Sequence, residues 1–100
     1  MSKVFKALRI LQKYAQDKKG SINIHHLTIL YYVGKSAKGL RLGDIVALCN
    51  LASSSARFEL EYLRSLGLTE RTDVSQSNSY SEYVITLSTR GTRMFKRLYE

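Results

Sequence analysis

The apolar pattern changes period twice in the second half of the chain, and this change constrains the fold more than any other feature. In ASSSARFELEYLRSLG, Ala52, Ala56, Leu60, Leu63 and Leu66 recur at the three- and four-residue spacing of a helix, predicted over 53–66. Ser53 or a neighbour is the expected N-cap, and Gly67 stands where a helix ends in a left-handed residue. LTERT at 68–72 and SEYVITL at 81–87 then read as two strands. In the second, Tyr83, Ile85 and Leu87 alternate with Glu82, Val84 and Thr86. DVSQSNSY between them is a polar hairpin loop. Helical spacing returns over 88–100, with Ser88 as N-cap and Met94, Phe95 and Leu98 as the apolar side.

The first half supplies more helices. Residues 3–18 are amphipathic: Val4, Ala7, Leu8, Leu11, Tyr14 and Ala15 share a face, and Gly20 follows as a stop. Residues 22–35 are rich in Ile, Tyr and Val, which suits a strand, but their length favours a helix capped by Asn23. KSAKGL is a loop, Leu40 to Leu42 leaves room for a very short strand, and 43–50 form a two-turn helix. Asn50 and Leu51 make a tight turn into 53–66. Two helices joined by such a turn form a helix-turn-helix, and a hairpin directly after them, over 68–87, is a wing. The expected fold is mainly α with a small β-hairpin wing, a winged helix-turn-helix, as one domain over residues 1–100.

These residues resemble the MarR-type winged-helix regulators. The similar segments are LTILYYVG at 27–34, the run from Leu40 to Arg71, and VITLSTRG at 84–91. Leu66-Gly67-Leu68 is similar to the family's step from recognition helix into wing, and Leu87-Ser88-Thr89-Arg90-Gly91 to its step from wing into last helix. The resemblance covers about residues 24–91. It implies a homodimer formed by the terminal helices, bound to pseudo-palindromic double-stranded DNA. Typical members carry a further long helix, so the implied dimer interface is smaller or different here. The family's Asp-x-Arg wing tip is also missing: residues 73–80 contain Asp73 but no Lys or Arg.

Charge agrees with a polyanionic partner. Sixteen Lys and Arg against eight Asp and Glu give a net charge of +8 and a pI near 9.8. On the helix at 53–66, Ser54, Arg57, Phe58, Glu61 and Ser65 project away from the apolar stripe. Ser54 and Ser55 suit a phosphate or base edge, Arg57 a guanine, Phe58 a thymine methyl and Glu61 a cytosine amino group. Glu59 and Glu61 leave this helix nearly neutral. Lys35, Lys38, Arg41, Arg64, Arg71, Arg90 and Arg93 flank it and suit phosphates.

Other classes have less support. His25 and His26 are adjacent, so on a helix they diverge, and with one distant Cys49 there is no metal-ligand spacing. Gly39 and Gly43 lack a P-loop continuation, and Ser53-Ser54-Ser55 has no evident base partner. The expectation is no catalytic residue, no metal and no cofactor. Lys3, Lys6 and Arg9 interrupt any apolar signal core, and no stretch has the length of a membrane span. A lone cysteine fits a reducing compartment, so a cytoplasmic, nucleoid-associated protein without membrane contact is expected. The rival reading is a protein-interaction module, such as a small viral or phage effector that binds a host protein. Single-strand binding needs stacked aromatics on one face, and the seven Tyr are scattered.

Overall fold

A computed structural model of the chain describes residues 3–16, 21–73 and 83–100. Its elements are α1 (Lys3–Ala15), α2 (Ile24–Lys35), β1 (Leu40–Arg41), α3 (Leu42–Cys49), α4 (Ser53–Ser65), β2 (Thr69–Asp73), β3 (Tyr83–Leu87) and α5 (Thr89–Tyr99). The winged helix-turn-helix expected from the sequence is therefore present. Gly20, residues 17–18 of the first helix and residues 74–80 of the hairpin loop lie outside the described residues.

The helix ends follow local chemistry. Asn23 caps α2: its Oδ1 accepts from the His25 N–H at 2.9 Å. The helix starts at Ile24, two residues later than predicted, because this cap holds Asn23 in extended backbone. Asn50 ends α3 in the left-handed region at φ 54°, a conformation its short polar side chain tolerates. Gly67 ends α4 at φ +77°. There the Leu68 N–H donates to the Leu63 carbonyl at 3.1 Å and the Gly67 N–H to the Arg64 carbonyl at 2.9 Å, the paired bonds of a Schellman motif. At the start of α4 the cap differs from expectation. Ala52 takes that position, without a side-chain hydrogen bond, so Ser53 does not cap. Ala52 is exposed, and the buried stripe begins at Ala56.

The hairpin is part of a three-stranded antiparallel sheet in the order β1-β3-β2. Leu40 pairs with Ile85, and β2 pairs with β3 from Thr69 opposite Leu87 to Asp73 opposite Tyr83. The core lies between this sheet and the helices, where Leu11, Ile29, Leu30, Ile45, Leu63 and Leu68 are fully buried. The two motif steps meet at the base of the hairpin. The Ser88 Oγ–H donates to the Gly67 carbonyl at 2.5 Å. The Ser88 N–H donates to the Leu68 carbonyl at 3.0 Å, and the Gly91 N–H donates back to Ser88 Oγ at 2.9 Å. A Cβ on Gly91 would collide with the Leu68 carbonyl oxygen, so α5 approaches the end of α4 this closely only with glycine there.

One buried polar pair joins α2 to α4. His26, 1% exposed, accepts the Asn23 N–H at Nδ1, 3.0 Å away. That ring nitrogen therefore holds a lone pair, and the proton sits on Nε2. Nε2 faces Glu59 Oε2 in close contact. His26 thus both caps α2 and packs against α4, where Glu59 is its partner. We expect His26→Leu to lower unfolding stability by about 1–3 kcal/mol, since it strands a largely buried carboxylate. Glu59→Gln keeps an acceptor for Nε2–H and should cost less. Urea unfolding midpoints compare the two.

Tyr99 fastens the same N-terminal end of α2, its hydroxyl donating to the Leu27 carbonyl at 2.5 Å. Burial, and secondarily Tyr31, push its hydroxyl from 10.0 up to about 12. The unfolded chain then loses this proton first, so the stabilisation is complete below pH 10 and fades as pH rises toward 12. Tyr99→Phe cannot ionise, and should flatten that part of the alkaline loss in unfolding curves recorded across the window.

Candidate nucleic-acid interface

The α3–turn–α4 unit presents one face of α4 outward. Ala56, Leu60 and Leu63 are buried on its inner side, while Ser54, Ser55, Arg57, Phe58 and Glu61 are all exposed. Phe58 is 72% exposed, so it is not a packing residue. Ala52 makes no side-chain hydrogen bond to the first-turn N–H groups of α4.

Where the flanking cations lie separates them into two sets. Arg64 and Arg71 are paired within the protein. Arg64 Nη1 lies 3.3 Å from Glu61 Oε1, one helical turn away, and Arg71 Nη1 lies 3.8 Å from the same oxygen. Arg71 Nε is also 3.8 Å from Asp73 Oδ1, and its guanidinium lies 4.4 Å from the centre of the Tyr83 ring. The β2–β3 register explains this grouping: Asp73 stands opposite Tyr83, and Arg71 shares their face of the strand pair. Arg57, Glu61, Arg64, Glu70, Arg71 and Tyr83 line a notch of about 210 Å³ between α4 and the sheet. Lys35, Lys38, Arg41, Arg90 and Arg93 are exposed elsewhere. Lys35 reaches over the Tyr31 ring, and Arg90 lies beside Gly67.

The positive charge is not centred on this unit. From Leu40 to Asp73, four arginines meet five carboxylates. By contrast, α1 and α5 contain only basic charges: Lys3, Lys6, Arg9 and Lys13 on one, Arg90, Arg93, Lys96 and Arg97 on the other. Between α1, α2 and α5 runs a groove of about 490 Å³. Val4, Ile24, Tyr31 and Leu98 are among its apolar lining, with Lys3, Lys6 and Arg97 beside them. Cys49 is half-buried on α3, and burial pushes its thiol pKa up, as suits a packing residue. Among the described residues no helix is long and apolar enough to cross a membrane.

By sequence, the chain matches no family model and no curated protein. In three dimensions it is similar to solved winged-helix transcription regulators. MepR, a transcription regulator of the Staphylococcus aureus multidrug efflux pump MepA, superposes with a TM-score of 0.67 at 19% identity, covering 96% of this chain and 64% of that one. The S. aureus MepR–DNA complex gives 0.68 at 21% identity, covering 96% and 79%. A MarR-family transcriptional regulator from Rhodococcus sp. RHA1 gives 0.70 at 17% identity, covering 95% and 61%. This chain spans less than two thirds of the length of several of these regulators. It has the winged helix-turn-helix fold that these MarR-family regulators share.

Proposed function

We propose that this protein binds double-stranded DNA through α4 and the wing, as a small dimeric transcription regulator with sequence preference and no enzymatic activity. The observation that carries the proposal is the outward face of α4. A helix held by a tight turn against α3 exposes Ser54, Ser55, Arg57 and a solvent-facing Phe58 on the side away from its core. A recognition helix reads a major groove from such a face. One of the similar structures is a complex of MepR with DNA. In this reading Arg57 makes a bidentate contact to guanine, and Phe58 covers a thymine methyl. The exposed Lys35, Lys38, Arg41, Arg90 and Arg93 hold the phosphate backbone. Such a protein would work in the cytoplasm, at the nucleoid.

Backbone clamping makes affinity depend on salt. If a dimer neutralises about eight phosphates, log affinity falls against log salt with a slope of about −7. Fluorescence titrations of a duplex at several salt concentrations measure it. A flat response would reject the electrostatic basis and favour a protein partner. Arg57→Ala should cost roughly 1–3 kcal/mol on a preferred duplex and less on random DNA. Equal losses on both would make Arg57 a phosphate contact.

The dimer is proposed through the face of the terminal helices. Val4, Ile24 and Tyr31 are exposed there, beside the groove between α1, α2 and α5. Pairing two such faces brings Lys3, Lys6 and Arg97 of both copies near one another. Raising salt from about 0.01 M to about 1 M shortens the screening length from about 30 Å to about 3 Å. Self-association measured by sedimentation should therefore strengthen with salt, opposite to DNA binding. Association that weakens with salt would argue against this face.

A further inference from the structure

Glu61 is placed where a base-reading carboxylate would be, yet its partners are cations of its own chain. One oxygen, Oε1, serves both Arg64 from α4 and Arg71 from β2. Arg64 Nη1 spans both carboxylate oxygens, at 3.3 and 3.4 Å. Arg71 is held from its other sides by Asp73 and the Tyr83 ring. Glu61 therefore bridges the recognition helix and the wing strand through one anionic centre between two guanidiniums. A phosphodiester offers two guanidiniums the same feature, a single negative charge shared over two oxygens.

We propose that Glu61 is an intramolecular stand-in for a DNA phosphate: it occupies Arg64 and Arg71 in the free protein, and the duplex backbone displaces it. This rests on the reading of α4 and the wing as a DNA-binding surface. It assigns Glu61 a different task from base readout. The carboxylate holds two phosphate-binding arginines in place and competes with the ligand they serve. Non-specific binding is held down, because a phosphate must replace an existing ion pair before either arginine contributes. Arg57, which lines the same notch, stays available to a base edge. The pairs are more than one third exposed on every partner, so water and salt screen them and the competition is modest.

The test compares binding of a random-sequence duplex by the full chain and its Glu61→Gln variant across salt concentrations. Glu61 is 59% exposed, and Gln keeps its shape, so the variant should fold; its urea midpoint checks this. Glu61→Gln is expected to tighten binding about three- to tenfold at low salt, the scale of two exposed ion pairs. It should also steepen the log–log salt slope by about one. Two comparisons separate displacement from simple charge removal. Glu70→Gln removes a charge from the same notch outside the Arg64–Glu61–Arg71 chain, and should gain less. In an Arg64→Ala/Arg71→Ala background the Glu61→Gln gain should vanish. If that gain persists without the arginines, or Glu70→Gln matches it, Glu61 merely repels DNA and the inference is overturned while DNA binding stands. An unchanged affinity for Glu61→Gln, with wild type bound, also overturns it. If neither protein shifts the duplex at low salt, the DNA-binding reading fails, and this inference with it. Binding by Glu61→Gln alone supports it.

Discussion

The contact between α4's end and α5's start organises the rest of the molecule. Ser88 donates to the Gly67 carbonyl from its side chain and to the Leu68 carbonyl from its backbone. The same hydroxyl accepts the Gly91 N–H and so caps α5. These bonds close the excursion that contains β2 and β3, because they join residues on either side of it. They also set the direction in which the wing leaves the body. Gly91 admits the Leu68 carbonyl to the helix surface, and Gly67 takes the positive φ that turns the chain there. The two glycines thus have different reasons to be there, one steric and one torsional. From this junction α4 runs back to the turn at Asn50, which holds it against α3. α5 runs on to α2, where Tyr99 reaches the Leu27 carbonyl. Both ends of α4 are therefore fastened to neighbouring elements. Tyr14 of α1 adds a further tie, donating to the Leu66 carbonyl at 2.9 Å.

Charge and shape divide the surface differently. The proposed recognition surface, α4 and the wing, is where acidic and basic groups nearly cancel. Charge places the attraction for a polyanion on α1 and α5, whose cations have no acidic residue in either helix. A long-range field from the terminal helices can draw DNA toward the protein without specifying sequence. In the proposed reading, near-neutral α4 would then discriminate without binding every duplex tightly. The Glu61 bridge fits this division, since it engages Arg64 and Arg71 beside the outward face of α4.

Much of the fold was legible because its signals are local. Helical spacing in 53–66, alternation in 81–87, Asn23 and Ser88 as caps, and Gly67 as a stop each depend on a few neighbouring residues. The cap of α4 was misread for the same reason. A serine run looks like a cap, but the cap is set by where the backbone turns into the helix, and that falls on Ala52. The short strand at Leu40–Arg41 was anticipated, but not its partner. Pairing to Ile85 and Val84 joins segments more than forty residues apart, and no local period reports it.

The candidate site was legible as a list of outward residues, not as a set of interactions. Helical projection of α4 is enough to find Ser54, Arg57, Phe58 and Glu61 on one face, because helix geometry fixes that face once the apolar stripe is known. Composition adds the net charge, and the motif steps indicate where a hairpin meets a helix. Tertiary structure alone decided which charges are occupied. Glu59 and Glu61 are two residues apart in sequence, yet one is turned inward onto His26 of α2 and the other outward onto Arg71 of β2. The physical reason is that an ion pair depends on distance in space: His26 and Arg71 come from other elements, and only Arg64 is a neighbour of Glu61 along α4 itself. The sequence alone thus determined the order of elements and the outward face of α4. Only their packing decided that Glu61 holds two arginines instead of standing free.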